Sequence, residues 1–132
     1  MSKFEKRLSK ILKNPQNAIV IGDGFGQLET FLGNFKTVFY INEDFPSTRS
    51  KNLVYRNNSI DLHLLPDISA IIFNLSTVQN LHLYKEVWRK HKSLVIIEGE
   101  EAINRNLSKS LYETGWGCTS LQGFFHVWEQ IK

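Results

Sequence analysis

The stretch that decides the fold is "AIVIGDGFGQLETFL", residues 18–32. Ala18, Ile19, Val20 and Ile21 make a continuous apolar run, the pattern of a strand buried on both faces. Gly22, Gly24 and Gly26 follow at alternate positions, and then Leu28, Phe31 and Leu32 fall at helical spacing. A strand that passes straight into a helix must reverse within a few residues. Glycine reaches backbone angles other residues avoid and removes the side chain that would hold a ligand away. The helix start adds exposed N–H groups and a partial positive charge. In open sheets of this kind, ligands sit at the C-terminal ends of the strands, where this loop lies. These residues point to a nucleotide-type binding site and say little about a reaction.

The same patterns extend outward from this stretch. Residues 3–13 place Phe4, Leu8, Ile11 and Leu12 on one helical face, ringed by Lys3, Lys6, Arg7, Lys10 and Lys13 and ended by Asn14-Pro15. A solvated face on a packed helix explains those cations more simply than a basic arm for phosphate. Gly33-Asn34 is expected to cap the helix that begins near Leu28. Further apolar strands are expected in "TVFYIN" (37–42), "NLVY" (52–55), "ISAIIFNL" (68–75) and "SLVIIEG" (93–99). Ser76 or Thr77 is expected to cap a helix carrying Leu81, Tyr84, Val87 and Trp88. Ile103, Leu107 and Leu111 mark another helix, ending near Gly115. The tail offers two strand-like pieces, "GCTSL" (117–121) and "FFHVWEQI" (124–131), parted at Gln122-Gly123. Continuous apolar strands alternating with helices imply a mostly parallel sheet covered on both faces.

Composition limits the function classes. The 132 residues fit one domain, 1–132, with residues 1–15 as a leading helix. Apolar residues make up 42% and charged residues 22%, a soluble globular balance. Cys118 is the only cysteine and the four histidines are scattered, so neither a disulfide within the chain nor a Cys/His metal cluster is spelled out. No apolar run reaches the ~20 residues that span a bilayer. The N-terminal residues are charged throughout, so neither export nor a membrane partner is expected, and the natural compartment is the cytoplasm. A net charge of +3 is too mild to argue for nucleic acid.

The glycines fit some phosphate motifs poorly. Counted from Gly22, the dinucleotide fingerprint meets Gln27 at its third glycine, and counted from Gly24 it meets Glu29, so an NAD-type ligand is a weak reading. No Gly-Lys-Ser/Thr follows, so the Walker A loop is absent. Gly22-Asp23-Gly24-Phe25-Gly26 instead resembles the first motif of class I S-adenosylmethionine-dependent methyltransferases, and "VIGDGFG" is similar to the loop of the related aminopropyltransferases, the spermidine synthase type. The resemblance covers nearly the whole chain, from the leading helix to a tail, "LYETGWGCTSLQGFFHVWEQIK", that looks like the family's closing antiparallel hairpin. It implies an α/β fold, a three-layer Rossmann-like sandwich whose mostly parallel sheet ends in a C-terminal antiparallel hairpin. It implies S-adenosylmethionine as cofactor, with Gly22, Gly24 and Gly26 lining the methionine end. It also implies an acid at the end of the second strand for the ribose hydroxyls, because a carboxylate accepts two such hydrogen bonds at once. "INEDF" offers Glu43 and Asp44 there. Glu43 stands 21 residues after Gly22, close to the ~20 expected, and is the preferred candidate. An ordinary solvated loop is the alternative.

The chain departs from the family at several points. The acid that normally stands two residues before the first glycine is Val20 here, as in aminopropyltransferases, which also lack it. Asp23 could face the ligand's positive charge or cap the following helix. Phe25 could cover the ligand or fill the underside of the loop. The aminopropyltransferase acid falls at Asn74, and an amide cannot act as general base for an amine. Asn74 is also not followed by the prolines found in amino-group methyltransferases of nucleic acids, so it is a weak catalytic candidate. Methyl transfer from a sulfonium can proceed mostly by alignment, so a missing base does not decide the matter. Glu98, Glu100 and Glu101 could bind a cationic substrate or stabilise the next helix start. Asp61 and Asp67 flank the loop where the family approaches adenine. Trp88, Trp116 and Trp128 are most simply packing residues. With no insertion of the size of a substrate lid, a small or protein-presented acceptor is favoured, or a partner chain (a second copy included) that completes the site. The leading expectation is methyl transfer to an unknown acceptor. Its rival is a binding module or subunit of the same fold with a degraded site.

Overall fold

The computed structural model describes residues 3–22, 28–42, 44, 46, 48–56, 61–74, 81–98, 105–122 and 125–131. Its elements run α1 (Lys3–Ile11), β1 (Asn17–Ile21), α2 (Leu28–Asn34), β2 (Thr37–Ile41), β3 (Leu53–Arg56), a 3-10 turn (Leu62–Leu64), β4 (Ile68–Phe73), α3 (Leu81–His91), β5 (Leu94–Glu98), α4 (Arg105–Glu113), β6 (Trp116–Gln122) and β7 (Phe125–Gln130). The seven strands form one sheet in the order β3-β2-β1-β4-β5-β7-β6. The first five in that order are parallel to one another, while β7 pairs antiparallel with both β5 and β6. This is the expected mostly parallel sheet with its closing hairpin.

The apolar strands are continuous because both faces of the sheet are covered. On one face Ile19, Ile21, Phe39, Ile41, Ile71, Phe73, Val95 and Ile97 pack with Tyr84, Val87 and Trp88 of α3 and with Leu107 and Leu111 of α4. On the other, Ala18, Val20, Val38, Tyr40, Ala70, Ile72, Leu94 and Ile96 pack with Leu8 of α1 and with Leu28 and Phe31 of α2. Period-two alternation thus feeds two separate cores, and the fold has three layers. Leu8 is the residue that fastens the basic leading helix to the body, whereas Lys6 and Lys10 stay exposed.

Several buried polar groups are tied internally. The Trp116 indole N–H donates to the Ser93 carbonyl at 2.9 Å, and the Ser93 hydroxyl donates to the Ile68 carbonyl at 2.6 Å. The Trp88 indole donates to Thr114 Oγ1 at 3.0 Å. Trp88 and Trp116 are buried and Trp128 is half-buried, which matches the packing role expected of all three. No helix among the described residues is long and apolar enough to cross a membrane.

Three local expectations need correction. The leading helix stops at Ile11, short of Lys13, and Asn14 beyond it takes a φ of 57°. Gly33 does not cap α2, because the helix runs through it to Asn34. The terminal carbonyls find other donors: Asn34 Nδ2 reaches the Thr30 carbonyl at 2.7 Å, and Asn52 Nδ2 reaches the Leu32 carbonyl at 2.8 Å. A side chain from outside the helix does the work expected of a left-handed glycine. Asp67 does not stand near a ligand at the C-terminal strand ends. It precedes β4, and its carbonyl accepts from the Asn17 N–H at 3.2 Å, at the opposite edge of the sheet.

At the end of α3 a lysine occupies the position that usually favours glycine. Lys92 has a φ of 53°, and the following Ser93 N–H closes back on the Trp88 carbonyl at 3.1 Å. A side chain in this left-handed conformation is strained, and glycine relieves the strain at some cost in unfolded-state entropy. Lys92→Gly is therefore expected to stabilise the protein by roughly 0.5–1 kcal/mol. Chemical denaturation checks this as a higher midpoint at unchanged slope.

Candidate functional site

The sheet's connectivity reverses at β1. From there the chain builds outward to β2 and β3, then returns to place β4 and β5 on the other side. Such a switch point opens a crevice beyond the C-terminal ends of the strands. The backbone ladder runs up to that edge. The Gly22 N–H donates to the Ile41 carbonyl at 3.0 Å, the Asn74 N–H to the Ile21 carbonyl at 2.8 Å, and the Asn42 N–H to the Arg56 carbonyl at 3.2 Å. Asn42, Gly22, Asn74 and Glu98 thus form one rung across four neighbouring strands, just past the apolar sheet. Gly22 has a φ of 80°, which a side chain tolerates poorly, so this first glycine is required by the turn itself.

Gly22 and Asn74, both expected at the site, are brought into direct contact. Asn74 Nδ2 donates to the Gly22 carbonyl at 3.2 Å. Asn74 Oδ1 is buried and has no hydrogen-bond partner among the described residues. A buried orphan acceptor is costly, and it marks a place where a ligand donor or positive charge would be welcome. Asp44 is exposed. Asp23, Gly24, Phe25, Gly26 and Glu43 lie outside the described residues, as do Ser76 and Thr77. Asn42, immediately before Glu43, is held from two sides. Its carbonyl accepts from the Tyr55 hydroxyl at 2.8 Å, and its Nδ2 donates to the Tyr40 hydroxyl at 2.9 Å. Tyr40 and Tyr55 are register partners on β2 and β3 with ring centroids 6.3 Å apart. Two tyrosines thereby fix the point from which the chain leaves β2.

Two residues at this end carry more than the sequence reading gave them. Glu98 is the last residue of β5 and only 3% exposed, so it belongs to the sheet and not to a helix start. Alternation with Leu94 and Ile96 turns it toward the α1–α2 layer. Glu100 and Glu101 lie outside the described residues. Arg56 ends β3, opposite Ile41, and is half-buried. Neither role is legible without the register, because an acid after a strand or an arginine at a strand end is commonplace in sequence.

The opposite edge of the sheet has a cavity of about 420 Å³, whose lining includes Lys13, Ser69, His91, Lys92 and Glu129. Burial, and after it Lys90, holds the His91 imidazole below its ordinary pKa, while Asp67 pulls the other way. This cavity sits at the N-terminal ends of β4 and β5, away from the switch point. The cations around it follow the C-terminal ends of α1 and α3, where positive charge is favourable.

Comparison with solved structures agrees with this geometry. A candidate methyltransferase from Streptococcus mutans, solved with S-adenosylhomocysteine, superposes with a TM-score of 0.64 at 21% identity, covering 96% of this chain and 94% of its own. An rRNA methylase from Streptococcus thermophilus gives 0.62 at 15% identity, covering 98% and 95%. A candidate S-adenosylmethionine-dependent methyltransferase from Listeria monocytogenes gives 0.61 at 12% identity, covering 96% of each chain. The chain has the class I methyltransferase-like Rossmann fold. No protein-family model matches it, and no curated protein matches it by sequence.

The contact with Gly22 suits an amide at position 74. An amide can donate to the Gly22 carbonyl, whereas an ionised carboxylate would set one acceptor against another. In Asn74→Asp the new carboxyl is expected to have a raised pKa, because the folded state disfavours its charged form. The variant should thus come close to wild-type stability when the carboxyl is protonated and lose roughly 1–3 kcal/mol as pH rises through its pKa. Melting curves of both proteins at pH 4 and pH 8 check this, since only the variant's deficit should grow with pH.

Proposed function

We propose that the chain binds S-adenosylmethionine in the crevice beyond β1, β2 and β4 and transfers its methyl group to an acceptor. The observation that carries this reading is the tie between Gly22 and Asn74 at the switch point of a sheet ordered β3-β2-β1-β4-β5-β7-β6. It leaves a buried acceptor, Asn74 Oδ1, without a hydrogen-bond partner among the described residues, beside a left-handed Gly22. Such an acceptor suits a cofactor carrying sulfonium and ammonium charges. The S-adenosylhomocysteine in the Streptococcus mutans structure supports the same choice. When bound, the cofactor supplies an activated methyl group. The protein's part is to orient it: Gly22 makes the turn without a side chain, Asn74 offers its carbonyl oxygen, and Glu43, next in sequence after the anchored Asn42, is assigned to the ribose hydroxyls. Such a transfer rests on alignment more than on a base.

A second reading keeps the fold and gives up the chemistry. Asn74 spends its amide on Gly22 and cannot take a proton, and Val20 is wholly buried in the sheet, so no acid stands at either family position. On this reading the chain is a binding module or subunit. Calorimetry of the purified chain with S-adenosylmethionine, S-adenosylhomocysteine and NAD separates the two. Binding of the first two, lost in Glu43→Ala, is the expected result, and silence with all three favours the second reading.

A further inference from the structure

The cavity of about 420 Å³ at the N-terminal edge of the sheet lies between the ends of α1 and α3 and the start of β5. It has the size that takes a small organic molecule. Ile11, Leu12 and Leu94 give it an apolar wall, and Lys13, His91 and Lys92 bring polar groups to it. Lys13 and Lys92 are exposed, and neither has an ion-pair partner among the described residues. His91 Nε2 is shut off from solvent and has no hydrogen-bond partner among the described residues. No hydrogen bond to a described residue holds the ring, so it can turn about χ2 and bring that nitrogen to the cavity.

Three non-glycine residues among those described have left-handed backbones, and all three border this cavity. Asn14, with a φ of 57°, stands between Lys13 and Pro15 of the lining. Lys92, at 53°, is itself in the lining, and Asp67, at 44°, comes two residues before Ser69, which also lines it. Such conformations are costly and gather where a site uses them. Stability alone favours glycine at position 92, so the fold does not account for a side chain there. The helix ends account for some of the positive charge, but not for an unmet imidazole nitrogen. The balance of charge favours an anion. Among the described residues at this end, Lys10, Lys13, Lys90 and Lys92 outnumber Asp67 and Glu129, and each helix end adds only about half a negative charge. Glu129 is already engaged, since its carboxylate accepts from the Thr119 hydroxyl.

We propose that this cavity binds a small organic anion, a carboxylate with a short apolar tail. The tail lies against Ile11, Leu12 and Leu94, and the carboxylate meets Lys13, Lys92 and His91 Nε2. The cavity is independent of the crevice, which lies at the other end of the strands. The test is an NMR titration of the isotope-labelled full chain with hexanoate, with hexanol and with inorganic phosphate. Hexanoate is expected to shift the amides of Lys13, Ser69, Lys92 and Leu94 saturably and to leave those of Gly22, Asn42 and Asn74 unmoved. Hexanol lacks the charge and phosphate lacks the tail, so each is expected to bind roughly tenfold more weakly or worse. Lys13→Gln and Lys92→Gln are each expected to weaken hexanoate roughly 2- to 5-fold. A bound carboxylate favours the charged imidazole, so saturating hexanoate is expected to raise the pKa of His91, with Lys13, Lys90, Lys92, Asp67 and Glu129 around it in both states. Equal binding of hexanol or of phosphate overturns the proposal. So do shifts centred on the crevice, the lack of any saturable shift, or an unmoved His91 pKa. Lysine variants that both bind hexanoate as tightly as the wild type overturn it too, since the anion would then not be held by these cations.

Discussion

The site depends on one join, the pairing of β1 with β4. These strands are far apart in sequence yet adjacent in the sheet, with Ile21 beside Phe73. Everything upstream of the join spreads to one side and everything downstream to the other. Folds whose connections diverge in this way bind their ligands past the strand ends at that point. The last backbone bond of the pair, from the Asn74 N–H to the Ile21 carbonyl, is followed by the side-chain bond from Asn74 to Gly22. The ladder therefore continues one residue beyond the apolar sheet, through an amide. That extra rung makes the floor of the crevice rigid and polar.

The two cores hold this floor in place. Val20 and Ile72 face one layer of helices, and Ile21 and Phe73 face the other. Neither strand can slip by one residue without exchanging its buried side chains between differently shaped cores. The aromatic contact of Phe73 with Tyr84, edge to face at 5.3 Å, fastens the tip of β4 to α3 from below. The Tyr40 and Tyr55 hydroxyls do the same for the tip of β2, through Asn42. Residues that belong to the core by area thus serve the site by position.

This division explains what could be read from sequence. The strands were legible because a parallel sheet between two helix layers demands runs such as Ile19-Val20-Ile21 and Ile71-Ile72-Phe73. The glycine turn was legible because reversal of the chain constrains backbone angles locally, as the φ of Gly22 illustrates. Gly33 misled because a helix end can be satisfied by a distant donor, and Asn52 lies 19 residues away. Asp67 misled because a loop's place in the sequence does not say which end of the sheet it visits. The places of Glu98, Tyr55 and Arg56 at the strand tips come only from register. Each is ordinary in sequence and acquires meaning from the residue on the next strand.

Register also orders the charges. Across the strand tips Asn42, Gly22, Asn74 and Glu98 share one rung, whereas Arg56 stands one residue lower, beside Ile41, and on the opposite face of the sheet from Glu98. The polar groups therefore divide between the two faces at the strand tips, and no single row of charge runs along them, because alternation sends neighbouring positions of each strand to opposite helix layers.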